Sequence, residues 1–294
     1  MRTTVMPAYL RRRSLTGFLF LLPALVYMLT FLLLPIATAV YISFTRYSLL
    51  SSPRFVGLRN YAYLLSDPSF WGSLWTTAKY LFFRIVILFV LSFTMAIIIN
   101  RRVLLHGAFQ TLYFLPYVFP LAVTSVMWKL FYLPFGLVEQ ITNLFRLAPQ
   151  NFLASEHTAL GAVTATTVWS AAGYYAVIVL AGLQTVPQEV IEASVIDGAG
   201  AMRRFLSIVL PQMRPTVFYL IVISIVNTIQ GYPPFLIMTD GGPGMATLVI
   251  GLVIYQKGFV TFEMGLASAV TVVVLLLILS VTLLQQRMLR SDGE

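Results

Sequence analysis

The stretch SLTGFLFLLPALVYMLTFLLLPIATAVYISFT, Ser14 to Thr45, runs for 32 residues without a charged side chain. About 20 residues suffice to cross ~30 Å of hydrocarbon at ~1.5 Å per residue. A signal-peptide core is shorter, roughly 7–15 residues, and ends at a small-residue cleavage site. The stretch therefore reads as a retained first membrane helix, preceded by Arg11, Arg12 and Arg13 and closed by Arg46.

Composition extends that reading to the whole chain. Hydrophobic residues make up 59% and charged residues only 10%, where soluble domains carry roughly 25% charged residues. One core cannot absorb so much apolar surface, so lipid is the expected solvent. Nearly charge-free runs lie at about 15–44, 78–100, 107–129, 158–182, 215–237 and 264–286. Only the second has cations inside it, Lys79 and Arg84, while Lys129 closes the third. Lys79 can snorkel to the headgroups. Arg84, about two turns in, reads as a snorkelling cation, with a bundle-facing role as the alternative. The expected fold is an all-α membrane protein of six transmembrane helices, a single domain over residues 1–294.

With six spans both termini share a side. That side holds Arg2, Arg11, Arg12, Arg13, Arg101, Arg102, Arg203, Arg204, Arg214, Arg287 and Arg290. Opposite loops hold Arg46, Arg54, Arg59, Arg146 and Lys257. The positive-inside rule predicts cytoplasmic termini, a cytoplasmic 101–106 turn and a cytoplasmic 183–214 loop. Cations at span ends are an orientation signal, whereas nucleic-acid binders cluster theirs on one face; the net charge of +9 therefore implies no nucleic acid. The outward 131–157 loop reads as a short amphipathic segment. Pro23, Pro35, Pro116, Pro120, Pro233 and Pro234 fall in or near spans and predict kinks.

One segment departs from the oily pattern: VPQEVIEASVIDGAGAMRRFLSIVLPQMRP, residues 186–215, holds Glu189, Glu192 and Asp197 of the chain's ten acids. Pro187 predicts a helix start, with the glutamates in its first turns. Asp197-Gly198 predicts a corner, with Asp197 capping a second helix from Ala199 to Val209 that Leu210-Pro211 ends. Such a helix–turn–helix could be an interfacial connector. Acids, however, do not favour an anionic leaflet and would suit a knob gripped by a soluble protein.

Glu192-Ala193-Ser194-Val195-Ile196-Asp197-Gly198-Ala199, followed by Phe205, Ile208, Leu210-Pro211 and Pro215, resembles the "EAA" loop of permease subunits of bacterial binding-protein-dependent ABC importers. Ser194 stands where that family commonly has Ala. Phe55-Val56-Gly57-Leu58-Arg59-Asn60-Tyr61 resembles the "F-x-G-L-x-N-Y" element of its sugar-type members. Thr239-Asp240-Gly241-Gly242-Pro243-Gly244 with Thr247 resembles their "T-x-G-G-P" turn, and Ser43-Phe44-Thr45 fits the end of their first span. The closest likeness is to the first permease of carbohydrate and glycerol-3-phosphate importers, the maltose type. Asn227 through Pro234 departs from the family pattern, so no relative's ligand specificity is carried over.

The resemblance implies the type I ABC importer permease fold in a bacterial cell membrane. It implies a second homologous permease, two ATP-binding subunits that hold ATP and Mg, and an extracytoplasmic solute-binding protein. It also implies a sugar or related polyol as solute, glycerol-3-phosphate-like solutes included. ATPase coupling would fall to Glu192, Ala193, Ser194, Asp197, Gly198, Ala199, Phe205, Leu210 and Pro211. Glu192 would cap or salt-bridge, and Ala193 and Ser194 would permit close approach. Gly241, Gly242 and Pro243 form a structural turn.

Sugars want aromatic faces and hydrogen-bonding amides or hydroxyls. Asn227 and Gln230, three apart on one helix face, with Trp169, Tyr174 and Thr124, are the candidate solute path; Thr167 and Ser170 are further polar residues of the fourth span. No catalytic set is expected. A phosphate-cradling Gly-rich loop followed by Lys-Ser/Thr does not occur, and the absence of Cys excludes disulfides and thiolate metal sites. His106 and His157 read as ordinary loop residues on opposite sides of the membrane. A secondary transporter or channel is the alternative, but ion-coupling acids inside spans do not occur.

Overall fold

The computed structural model describes residues 8–100, 106–146 and 151–291. In chain order the elements are α1 (Ala8–Met28), α2 (Leu34–Ser43), β1 (Thr45–Arg46), β2 (Arg54–Phe55), α3 (Arg59–Ser66) and α4 (Pro68–Asn100). There follow α5 (His106–Val118), α6 (Leu121–Tyr132), α7 (Leu137–Leu144), α8 (Ala159–Gln184), α9 (Gln188–Ile196), α10 (Ala201–Arg204) and α11 (Leu210–Gln212). The series closes with α12 (Arg214–Gln230), α13 (Pro233–Thr239), α14 (Ile250–Tyr255) and α15 (Met264–Ser291). The described residues are thus mostly helical, and their strands are confined to one small antiparallel ribbon, Thr45 opposite Phe55 and Arg46 opposite Arg54. The ribbon and the short α7 lie in the loops expected between spans. The expected 101–106 turn, with Arg101 and Arg102, falls almost wholly outside the described residues, as does Arg2.

Among the described residues four helical stretches are long and apolar enough to span a bilayer: Gly17–Ser43, Pro68–Asn100, Ala159–Gln184 and Met264–Gln285. Two strongly bent helix pairs raise the number to as many as six. The expected third span is one of them, turning by 96° between α5 and α6. Pro120 sits at that break with φ −54° and ψ 133°, since its ring and missing N–H interrupt the helical ladder. The expected fifth span, 215–237, is divided as well. α12 stops at Gln230, Gly231 donates back to the Asn227 carbonyl at 2.8 Å, and Pro233-Pro234 opens α13. The expected second span starts earlier than 78, because Asp67 accepts the Ser69 N–H at 2.9 Å and starts α4 at Pro68.

Proline also explains two widened turns. π-turns occupy Leu29–Leu33 and Phe205–Val209, each followed by a Leu-Pro pair. Leu34 and Leu210 donate five residues back, to the carbonyls of Leu29 and Phe205. Widening the turn just ahead of the proline relieves the ring's clash with the preceding turn and keeps carbonyls satisfied. Helix therefore continues through Leu210-Pro211 to Gln212, correcting the expected stop.

The chain forms two compact units. The first comprises Met1–Leu64 and Lys257–Leu275. Its sequence motifs have a physical reason. Asn60 donates to the carbonyls of Ser43 and Thr45 at 2.8 and 2.9 Å, while Ser43 Oγ and the Tyr61 hydroxyl share a 2.6 Å hydrogen bond. Asn60 thereby satisfies two carbonyls where α2 ends and the ribbon begins. Gly265 packs so tightly that an added Cβ would lie 2.1 Å from the Thr45 carbonyl oxygen.

The second unit, Leu65–Gln256 with Leu276–Glu294, is built on α4 against α8. Leu88, Phe93, Ala96 and Ile99 pack against Val168, Ala172, Tyr175 and Val179. Small residues allow close approach: a Cβ on Gly173 would stand 1.8 Å from the Tyr113 carbonyl oxygen, joining α8 to α5. Gly182 packs against Thr216 and Met213, and Gly251 against the Ile229 carbonyl. A second cluster gathers Tyr80, Val163, Phe235, Met238, Val249 and Leu252.

Candidate functional site

The 186–215 segment is a knob with an inward and an outward side. α9 closes in a Schellman motif: Gly198 adopts φ +76°, its N–H donates to the Val195 carbonyl at 3.1 Å, and Ala199 N–H donates to Ser194 at 3.0 Å. Glycine suits that left-handed residue because a Cβ there is penalised. Asp197 is the C-cap of α9, its N–H turned back to Ala193. The second helix is instead N-capped by Gly200, without a side-chain cap bond; the expected capping role of Asp197 is thus corrected.

Ser194 is buried, its hydroxyl donating to the Ile191 carbonyl at 2.6 Å. Any close approach it permits is within the chain. Phe205 packs edge-on against Phe93 at 5.6 Å, and Leu210 joins the same core. Pro211 is half-buried. Outward lie Glu192, Ala193, Asp197 and Gly198, with Val195, Met202 and Ile196; Ile196 is 86% exposed. Glu192 accepts from Gln188 at 3.2 Å. Exposed apolar side chains beside three carboxylates make a surface suited to a protein partner.

The Gly-Gly-Pro turn is braced by hydroxyls. Thr247 Oγ1 donates to the Gly242 carbonyl at 2.8 Å and lies 2.7 Å from Thr239 Oγ1. Gly241 has φ +83°, a conformation that favours glycine at this corner. Pro243 follows Gly242 in a cis peptide.

The expected solute-path residues separate into groups. Thr124 and Trp169 meet around Trp128, which lies edge-on to Trp169 at 5.6 Å and one turn from Thr124 on α6. Thr124 is buried and its hydroxyl has no hydrogen-bond partner. Tyr174 stacks on Tyr117 at 4.4 Å, and its hydroxyl lies 3.4 Å from that of Tyr219. Asn227 is half-buried and Gln230 exposed.

Arg84 marks a further polar centre, in the bundle-facing position that the sequence offered as the alternative to snorkelling. It is 5% exposed and turned into the second unit, correcting the snorkelling expectation. Its Nη1 donates to the Ser224 carbonyl at 3.5 Å, and its guanidinium lies 5.9 Å from the Tyr175 ring centre. The Tyr175 and Ser224 hydroxyls are 2.8 Å apart, and Tyr80 donates to Thr167 Oγ1 at 3.1 Å. Tyr80, Tyr175, Ser224 and Thr228 were missed; the i, i+4 spacing of Tyr80 with Arg84 and of Ser224 with Thr228 was the available signal.

A cleft of about 690 Å³ bounded by α4, α5 and α8 is lined mainly by apolar side chains, among them Phe83, Ile87 and Leu112, with His157 and Trp169. Among the described residues no cluster of three or more His, Cys, Asp or Glu could hold a metal ion.

The chain is 31% identical over 274 residues to the trehalose/maltose transport system permease protein MalF of Thermococcus litoralis, covering 92% of each chain. It is 29% identical over 279 residues to the sn-glycerol-3-phosphate transport system permease protein UgpA of Pectobacterium atrosepticum, covering 94% of each. A chain in the crystal structure of a bacterial alginate ABC transporter in complex with alginate pentasaccharide-bound periplasmic protein superposes with TM-score 0.81 at 21% identity, covering 96% of both chains. Residues 89–291 match the model of one family, and with these relatives at near full length the chain belongs to it: the inner membrane components of binding-protein-dependent transport systems.

Proposed function

We propose that this multi-pass chain is one permease subunit of an ATP-driven importer for a sugar or related polyol, a class that includes glycerol-3-phosphate-like solutes. A second homologous permease completes the pathway, and an extracytoplasmic binding protein delivers the solute. Two partner subunits bind ATP and Mg and grip the 186–215 knob. The chain is a single permease domain of six spans in the bacterial inner membrane, both termini and the knob facing the cytoplasm. Sugar-permease relatives support the solute class, and the cation asymmetry of the loops supports the orientation.

The observation that carries the reading is the two-sided knob. Phe205, Val209 and Met213 root it in the α4–α8 core, while Ile196 and Glu192 stand outside. An anchored, capped helix transmits displacement that a loose loop would absorb. Closure of the ATPases on nucleotide would push the knob and open the bundle outward, and hydrolysis would reset it. The test is affinity purification of the tagged chain from its native membrane. A Walker-type ATPase and a second membrane chain are expected in the eluate, crosslinking through residues 192–198; an active transporter with those residues free of ATPase refutes the assignment.

A further inference from the structure

α4 is a 33-residue helix, and Arg84 is equidistant from its ends, about 24 Å of helix from either. A guanidinium buried in that position needs a counter-charge, because buried charges persist only when paired. The helices packed around it supply none: residues 68–138, 157–188 and 198–239 contain no Asp or Glu. What surrounds Arg84 is instead rich in donors. Arg84 Nε and the hydroxyl of Thr228, which is 1% exposed, have no hydrogen-bond partner. Thr228 lies one turn from Ser224, whose carbonyl holds Arg84 only at 3.5 Å. The hydroxyls of Tyr175 and Ser224 complete the lining. A cation with unpartnered donors on α4 and α12, beside the paired hydroxyls of Tyr175 and Ser224 and with no carboxylate to offset it, matches an anionic oxygen group. A neutral sugar hydroxyl brings no charge to offset the buried cation.

From this we infer that Arg84 selects an anionic solute. When α12 parts from α4 and α8, Arg84 and Thr228 take a carboxylate, phosphate or sulfonate of the transported molecule. The inference rests on the importer reading and adds the charge class to it. The long Arg84–Ser224 bond is the weak contact that yields as the site opens.

Two measurements test it on the complete transporter. Mass spectrometry identifies the solute recovered from the cognate binding protein, and an anion is expected. In proteoliposomes with the binding protein, ATP-dependent uptake is compared for glycerol 3-phosphate against glycerol and glucuronate against glucose. Loss of a charge-assisted bond is expected to lower anion uptake about 10-fold or more in R84Q, with neutral uptake little changed. R84K should lie between, and T228V should lose a few-fold. An anion-to-neutral ratio unmoved by R84Q overturns the inference; if R84Q does not assemble, R84K decides, since lysine keeps the charge but lacks Nε. A neutral cognate solute carried at full rate overturns it too, yet leaves the importer reading standing. Failure of the wild-type assembly to accumulate any solute with ATP strikes the importer reading instead.

Discussion

Replacing Gly198 tests the knob through one backbone angle. Nothing lies within 4 Å of a Cβ added there, while the native φ is +76°. The substitution therefore meets no clash, and its cost is conformational: about 1–2 kcal/mol for a residue forced into the left-handed region. That lowers the population of the closed Schellman turn by a factor of roughly 5–30. Gly198→Val should pay the full cost, while Gly198→Asn, which tolerates this region, should pay little. The assay is ATP-driven uptake in proteoliposomes, with ATPase retention on the tagged chain measured in parallel. Uptake should fall in Val by several-fold to more than tenfold while the protein still inserts, and Asn should stay near wild type. Wild-type transport by Gly198→Val would refute the argument. Equal damage from Asn and Val would show that the outer surface at 198, and not the turn, is what the partner reads.

Three further substitutions probe other contacts. Ile196→Glu changes a side chain that is 86% exposed, so thermal stability in detergent should be unchanged while ATPase co-purification drops about tenfold or more if that side chain is an interface anchor. Asn60→Leu removes donors to the Ser43 and Thr45 carbonyls; a loss of about 1–3 kcal/mol should appear as a lower melting temperature by fluorescence-detected chromatography. Gly173→Val drives a Cβ toward the Tyr113 carbonyl and should abolish monodisperse protein, whereas Gly161→Ala on the same helix, with nothing within 4 Å, should be tolerated.

The apolar runs and the family motifs were legible because they are properties of composition and short spacing. Hydropathy located the oily segments but not their geometry. It ran one span through Pro120 and another through Gly231, because a break between two apolar halves leaves the average hydropathy unchanged. It began α4 ten residues late because Phe70, Trp71 and Trp75 alternate with polar residues ahead of the oily run. At Arg84 charge alone could not say which way the side chain turns; that depends on Tyr175 and Ser224 from distant parts of the chain. Asp197 illustrates a local ambiguity: an Asp before Gly suits the end of one helix as well as the start of another, and the glycine's left-handed turn decided it.

The glycines of α8 bear on how force travels through the bundle. Gly182 touches the root of the knob and Gly173 touches the backbone of α5, roughly 13 Å apart along one continuous rod. No flexible side chain stands at the Gly173–Tyr113 contact to serve as a spring. On the importer reading proposed above, a push received near Gly182 would reach α5 with little slack, and the breaks at Phe119-Pro120 and Gly231, where the rods end, are where the bundle would give.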